Sequence, residues 1–295
     1  DIICIGEGEF PMLDLMDALD KKKDYYHIQN LWVKKDSKVI KNPMRSSVED
    51  LDVYPIPDRE LYYAKYSNLR NTQTKSLLAS RGCPYSCSFC FNKKLKEMYR
   101  GKGKYVRYHS VNRVIEEMQY MKNNYPLKTI NISDDIFILD RKRAINVLDR
   151  MIETKVAIPF FCLTRSNLLD EVLVRKLKEA GCVGGWFGME SGNEKLRQEV
   201  LNKNITNEQI IKGALLLHKY GIKFRAYCMI GTPGETLENA FETINLNIQI
   251  KTDFPWCSIY TPYSKTQLVE YAVKSGFLDK SATNNPSGTI WQNTV

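Results

Sequence analysis

At 295 residues, 43% of them hydrophobic and 26% charged, the chain has the composition of an ordinary globular protein with room for a sizeable core. No run of about 18 apolar residues is present, which excludes a helical membrane span. The formal net charge of +9 is unevenly spread, a point taken up below. The first residues, DIICIGEGEF, lack the basic stretch that precedes the apolar run of a secretory leader. They begin without Met inside a strand-like run, so the chain is expected to start within a longer, cytoplasmic protein. Ile2–Gly6, a helix over Pro11–Lys22 and His27–Lys34 read as one β-α-β stretch, followed by a Pro-marked connector, LDVYPIPDRELYY.

A β/α rhythm then sets in. Apolar, β-prone runs occur at Lys75–Ser80, Lys128–Ser133, Pro159–Leu163, Val183–Met189, Lys223–Ile230 and Trp256–Tyr260. Helical patterns lie between them: Val111–Lys122 after Ser110, Arg141–Glu153 after Asp140, and Glu171–Ala180 after Asp170 and closed by Gly181. Thr206 and Gln209 form a capping box for a helix through Tyr220, which Gly221 ends, and another helix runs from about Leu237 to Ile250. Six strands joined by helices imply a parallel sheet, because each parallel crossover needs a helix. Six units fall short of the eight of a complete barrel. The expected class is α/β, a partial (β/α)6 TIM-like barrel. Past it, Gln267–Gly276 reads as a last helix and TNNPSGTIWQNTV as an irregular tail.

Between Lys93 and Arg107 there are seven Lys/Arg against one acid, Glu97, with Tyr99 and Tyr105 interleaved. Such a stretch is either a solvated basic face or a surface for a polyanion, so nucleic acid stays open as a partner.

Three of the eight cysteines fall within RGCPYSCSFC, spaced C-x3-C-x2-C as Cys83, Cys87 and Cys90. An odd number without a secretory context does not suit disulfides. A structural zinc site takes four protein ligands, and His109 is the only nearby candidate for a fourth. An iron–sulfur cluster takes thiolates as its normal ligands. Three thiolates on four irons leave one iron open to a substrate or cofactor. Cys4, Cys162, Cys182, Cys228 and Cys257 lie on or beside expected strands and read as small buried hydrophobes, with Cys257 the one to watch. His27, His109 and His218 are scattered and are not assigned as ligands.

In β/α barrels, ligands gather at the C-terminal ends of strands. After the cysteine loop, the following strands end in SDDIF with Asp134 and Asp135, LTRSN with Arg165, GMESG with Glu190, and IGTPGE with Ile230 and Gly231. This rim supplies acceptors for an amine, a guanidinium for a carboxylate and a carboxylate for hydroxyls. The structural alternatives are that Asp134 caps the next helix, that Glu190 pairs with Arg165, and that Gly231 with Pro233 makes only a turn.

The loop RGCPYSCSFC, with Phe89 before the third cysteine, resembles the cluster loop of the radical S-adenosylmethionine (SAM) superfamily. The resemblance implies a 4Fe–4S cluster on Cys83, Cys87 and Cys90, whose open iron chelates SAM. One electron then cleaves SAM to methionine and a 5′-deoxyadenosyl radical. It further implies that Asp134 or Asp135 meets the methionyl amino group, in place of the family's Gly-Gly-Glu motif. Arg165 and Glu190 would meet the carboxylate or ribose, Ile230–Gly231 the adenine side, and Phe89 would also contact the cofactor.

The N-terminal piece, IICIGEGEF through HIQNLWVKK and DLDVYPIPDREL, is similar to the segment joining a cobalamin-binding domain to such a barrel. By this resemblance residues 1–40 are the C-terminal remnant of a Rossmann-like cobalamin-binding-type domain, its last β-α unit, and 41–70 a linker. Residues 71–262 are the radical SAM partial barrel, and 263–295 a C-terminal helix and irregular tail. Methylthiotransferases share a similar loop but carry further cluster cysteines upstream, whereas only Cys4 precedes Cys83 here. The expected activity is cobalamin-dependent methylation of an unactivated carbon of a small-molecule or peptide substrate, served by an external donor such as flavodoxin or ferredoxin. The alternatives are a cobalamin-free radical rearrangement or cyclisation, or a non-catalytic iron–sulfur or zinc module that binds nucleic acid.

Overall fold

The computed structural model describes residues 1–156 and 158–279. The tail TNNPSGTIWQNTV lies outside them. The chain forms two compact units, one of residues 1–49 with 95–105, the other of 50–94 with 106 onward.

In the first unit β1 (Ile2–Cys4), α1 (Glu9–Asp20), β2 (Leu31–Lys35) and β3 (Lys38–Lys41) follow in order. The expected β-α-β sequence is there, with a hairpin strand added, and the pairing is antiparallel: Ile2 opposes Val33 and Trp32 opposes Lys41. Asp36, at φ +53°, makes the tight hairpin turn. α1 lays Leu15 on Leu31 and Val33. Asn30 staples the unit, its amide donating to the Ile5 carbonyl at 2.8 Å while its Oδ1 accepts from the Arg45 N–H at 2.8 Å.

Most of the basic stretch folds here too. The Tyr99 hydroxyl accepts from the Glu7 N–H at 2.8 Å, and the Ser47 hydroxyl lies 3.0 and 2.9 Å from the Lys102 and Lys104 carbonyls. Lys102 Nζ donates to the Met44 carbonyl and Lys104 stands 3.5 Å from Glu49. Two of its lysines therefore already have acceptors inside the unit.

The second unit runs α2 (Glu60–Tyr63), α3 (Ser67–Asn71), β4 (Thr74–Leu77), β5 (Ser80–Arg81), α4 (Phe91–Met98), whose C-terminal half belongs to the first unit, and β6 (Arg107–Tyr108). It continues through α5 (Val111–Asn124), β7 (Thr129–Ile132), α6 (Arg141–Glu153), β8 (Phe160–Leu163), α7 (Glu171–Glu179) and β9 (Cys182–Glu190). α8 (Asn207–Lys219), β10 (Lys223–Ile230), α9 (Leu237–Gln249), β11 (Phe254–Ile259) and α10 (Gln267–Lys274) complete it. The caps read from the sequence are present: Ser110, Asp140 and Asp170 accept from the N–H three residues on, and Thr206 with Gln209 closes a capping box. Gly181 and Gly221 take φ +95° and +62° where those helices end.

The six-stranded sheet has the order β11-β10-β9-β8-β7-β4, and every pair in it is parallel. Each new strand joins the same side as the last, so right-handed crossovers place the helices on one face. A doubly wound sheet would reverse its order and carry helices on both. The sheet is thus an arc of a barrel, with β4 and β11 at its open edges.

Ile130, Ile132, Phe160, Cys162, Phe187, Phe224 and Ala226 alternate onto the helix side. There they pack with Met118, Val147, Leu148, Leu173 and Leu217 from the helices in one buried core. A groove of about 680 Å³ between α9 and β10–β11 lies on that side and is lined mainly by apolar side chains such as Phe241, Ile244 and Ile248. Cys162, Cys182 and Cys228 are buried as expected, but Cys4 is only half-buried and Cys257 is exposed, because β11 is an uncovered edge strand. Among the described residues no helix is long and apolar enough to cross a membrane.

Candidate active site at the strand ends

The expected strand Lys75–Ser80 stops at Leu77, and the reason lies in Asp134. This residue, 0% exposed, accepts through Oδ1 from the Ala79 and Ser80 N–H groups at 2.6 and 3.0 Å. Its Oδ2 accepts from the Ser80 hydroxyl at 2.6 Å. Ser80–Arg81 then pairs with Arg107–Tyr108 as a separate short ribbon, which carries the chain into the cysteine loop.

Burial pushes the Asp134 carboxyl above its ordinary range, while these three donors hold it down. It is a latch for the loop, with both oxygens taken. Asp134→Ala would strand three buried donors, each bond to a charged acceptor being worth about 1.5–3 kcal/mol. We expect a loss of roughly 4 kcal/mol in denaturant unfolding with an unchanged m-value, and reduced iron uptake.

The loop itself has no regular structure, and bonds to distant segments help to hold it. The Ser88 N–H and hydroxyl donate to the carbonyls of Leu201 and Val200 at 2.9 and 2.6 Å. Asn202 donates to the Ser86 carbonyl at 2.7 Å, and the Leu268 N–H to the Ser88 carbonyl at 2.9 Å. Phe89 packs on Leu201, Tyr260 and Leu268 beside Met229.

All three loop cysteines are free thiols, Cys87 buried and the other two half-buried. Burial first, then the nearby charges of Asp135, Cys87 and Cys90, push Cys83 up to about 11, against an opposing N–H bond from Tyr85. Burial also raises Cys90. The three thiols therefore feel one another, and thiolates so placed need a cationic centre. Among the described residues no three Cys, His, Asp or Glu side chains converge on one point as a single zinc ion requires. His109 is engaged elsewhere, with Asp52 at 3.0 Å. Cluster ligands sit further apart, one to each iron, and this donor set of three thiols suits that arrangement.

The neighbours of the loop separate the two aspartates. Asp135 is exposed, and its Oδ1 accepts at 2.8 Å from the Asn92 amide, whose nitrogen is also 3.7 Å from Cys90 Sγ. The Asn92 backbone N–H lies 3.5 Å from the same sulfur. Asp135 thus faces the thiols and Asp134 does not. Arg165 is buried, with its guanidinium 3.7 Å from the centre of the Tyr85 ring, inside the loop, and its Nε on Asn167 at 3.0 Å.

Glu190, also buried, pairs with Lys203 at 2.7 Å and not with Arg165. It sits at φ +67°, where the β9–β10 register shifts so that Cys228 opposes Glu190. Gly188 makes room, since a Cβ there would overlap both Glu190 Oε1 and Lys203 Nζ. Gly231, at φ +73°, opens a turn capped by Glu235, which accepts from the Gly231 and Thr232 N–H groups at 2.6 and 3.2 Å.

Sequence reading missed Asn92, Tyr85, Lys203 and Glu235. The paired glycines of GMESG were a usable signal for a crowded strand end. Nothing in the spacing of LNKNIT marks Lys203.

The family model described as the radical SAM superfamily matches residues 77–246. The uncharacterized methyltransferase PH0819 of Pyrococcus horikoshii is 34% identical over 279 residues, covering 94% of this chain and 59% of that protein. The anaerobic magnesium-protoporphyrin IX monomethyl ester cyclase of Rubrivivax gelatinosus is 27% identical over 277 residues, covering 92% and 48%. The chain spans between about half and three-fifths of these two relatives. Among solved structures, the radical SAM methyltransferase TsrM from Kitasatospora setae, with cobalamin and a [4Fe–4S] cluster bound, superposes with a TM-score of 0.74 at 17% identity. That match covers 93% of this chain and 54% of TsrM. The cobalamin-dependent SAM radical enzyme OxsB gives 0.70 at 21%, covering 96% and 40%. These two likenesses establish the shared fold.

Proposed function

This chain belongs to the radical SAM superfamily, and with a [4Fe–4S] cluster and SAM as its cofactors we propose that it methylates an unactivated carbon in a cobalamin-dependent reaction. The carrying observation is the Cys90–Asn92–Asp135 chain beside three free thiols, with the Glu190–Lys203 pair at the end of β9. When bound, the reduced cluster supplies the electron that cleaves the sulfonium of SAM.

The residues do the positioning. Cys83, Cys87 and Cys90 would hold a [4Fe–4S] cluster through their thiolates. Asp135, oriented by Asn92, accepts from the methionyl amino group. Arg165, placed over the Tyr85 ring, would offer its remaining N–H groups to the carboxylate. Glu190 has one oxygen fixed by Lys203, and its other oxygen accepts from a ribose hydroxyl. Phe89 and the Ile230–Gly231 turn take the adenine side. Residues 1–40 are assigned to the end of a cobalamin-binding-type domain, 41–70 to a linker, 71–262 to the partial barrel and 263–295 to the C-terminal helix and tail. An external one-electron donor such as a flavodoxin or ferredoxin feeds the cluster.

The methyltransferase names of PH0819 and TsrM support methyl transfer. The cyclase name of the Rubrivivax protein supports a second reading, radical cyclisation on the same scaffold. Anaerobic turnover of the cluster-loaded chain with SAM, reductant and methylcobalamin across candidate substrates separates them. Methyl transfer gives S-adenosylhomocysteine and a product one carbon larger, together with 5′-deoxyadenosine. A product of unchanged carbon count overturns it in favour of cyclisation.

A further inference from the structure

On the sheet face turned away from the helices, Phe161, Trp186, Arg225, Tyr227 and Trp256 form one patch. The register puts them there: Leu163 opposes Trp186, Trp186 opposes Arg225, and Tyr227 opposes Trp256, while residues two apart on a strand share a face. Their sequence neighbours Phe160, Cys162, Phe187, Phe224 and Ala226 are the ones buried under the helices. The patch is half-buried, and its edge residue Trp256 is 53% exposed.

Arg225 Cζ stands 4.8 Å from the ring centre of Trp186, 5.0 Å from that of Trp256 and 5.8 Å from that of Tyr227. Trp186 stacks in turn on Phe161, 5.0 Å between centres and 13° between planes. Gly184 permits that stack, for a Cβ there would overlap the Phe161 ring and press on Trp186.

Ring faces attract a guanidinium but offer its N–H groups no proper acceptor. Among the described residues Arg225 makes no hydrogen bond and no ion pair, and its Nε is buried. Arg59 Nε and Arg143 Nε and Nη1 are also buried without a partner, but those guanidiniums, like that of Arg197, each keep at least one acceptor. Arg197 donates to two carbonyls and Asn207, Arg59 to Glu117, and Arg143 to two carbonyls. Among the described residues Arg225 differs in having no acceptor on any of its nitrogens, and a buried donor left without one is costly. A cation walled by flat apolar rings and lacking an acceptor is the complement of a flat molecule that carries an anion.

We propose that this patch binds a substrate with a planar apolar body and a carboxylate or phosphate group, the anion on Arg225 and the body against Trp186, Tyr227 and Trp256. Calling the occupant a substrate rests on the radical SAM reading; the preference for planar anions does not. Ile230 at the strand end lies five residue steps beyond Arg225, about 16 Å at roughly 3.3 Å per residue. An occupant anchored on Arg225 must reach about that far to meet the cysteine rim.

The test uses the cluster-loaded chain and three fluorescent probes: 1-pyrenebutyrate, 1-pyrenebutyl phosphate and the neutral 1-pyrenebutanol. At least one anion should bind about tenfold or more tighter than the alcohol, the scale of a charge-assisted bond, and the tighter anion names the group. Arg225→Gln should abolish that preference and Arg225→Lys should keep part of it. Trp256→Ala, at an exposed position, should weaken all three probes. Equal binding of the three, or a preference that survives in folded Arg225→Gln, overturns the proposal. SAM cleavage by the same wild-type preparation is read separately, and its absence counts against the proposed function, not against the anion site.

Discussion

Replacing Cys83, Cys87 or Cys90 by Ala, one at a time, removes the cluster and takes reductive SAM cleavage to background. Anaerobic reconstitution of the unaltered chain should give about four irons, as a four-iron cluster requires. With one thiolate gone a second iron loses its protein ligand, and two anchors no longer fix the cluster in the loop. The fold should survive the change. The loop is tied down by Ser88, Ser86 and Leu268 rather than by its sulfurs, so apo-protein melting should shift little.

Cys162, Cys182 and Cys228 supply the control. They are buried in the helix-side core, so Ala there costs on the order of 1 kcal/mol for a small cavity and leaves the iron count intact. Stoichiometric zinc in place of iron, or a full iron complement in the three loop variants, would sink the cluster assignment.

The elements that could be read from the sequence are those whose signals are local. Ser110, Asp140, Asp170 and Thr206 announce helices because a cap acts within three residues. The thiols announce a cluster because three ligands fall within one short loop. What stayed hidden depends on distant partners. Asp134 and Asp135 are identical neighbours, yet the end of an extended strand turns one into the core and the other toward the thiols. The structural alternative for Glu190 was a pair with Arg165. The fold gives it Lys203, thirteen residues on, delivered by the π-helical turn Leu196–Val200, while Arg165 turns to Tyr85. The antiparallel hairpin of the first unit was missed because Lys38–Lys41 has only two apolar residues, too few for a clear alternation.

That Glu190–Lys203 pair carries the second large expectation. Both side chains are about nine-tenths buried and lie 2.7 Å apart. Removing either partner leaves the other charge buried alone, which costs about 3–5 kcal/mol. Lys203→Met and Glu190→Gln should each lose stability on that scale, or about 10 °C in melting temperature for a domain of this size. The double variant should recover much of it, because no charge is then stranded. A coupling of about 2 kcal/mol or more in the cycle is expected.

Gly188→Ala adds one methyl group, yet it should resemble Lys203→Met, because the new Cβ falls on the two bonded atoms. Backbone strain is read separately. Glu190→Gly should be more stable than Glu190→Ala by about 1 kcal/mol, since only glycine takes φ +67° without cost. All the Glu190 variants should weaken SAM binding by about 1–3 kcal/mol, roughly 5- to 150-fold, measured by equilibrium dialysis on the cluster-loaded chain. Lys203→Met should lie within the same range, because it frees the carboxylate that the lysine orients. If the Glu190 variants lose stability but bind SAM as tightly as the unaltered chain, the pair is a strut of the barrel, and the ribose contact must be sought elsewhere on the rim.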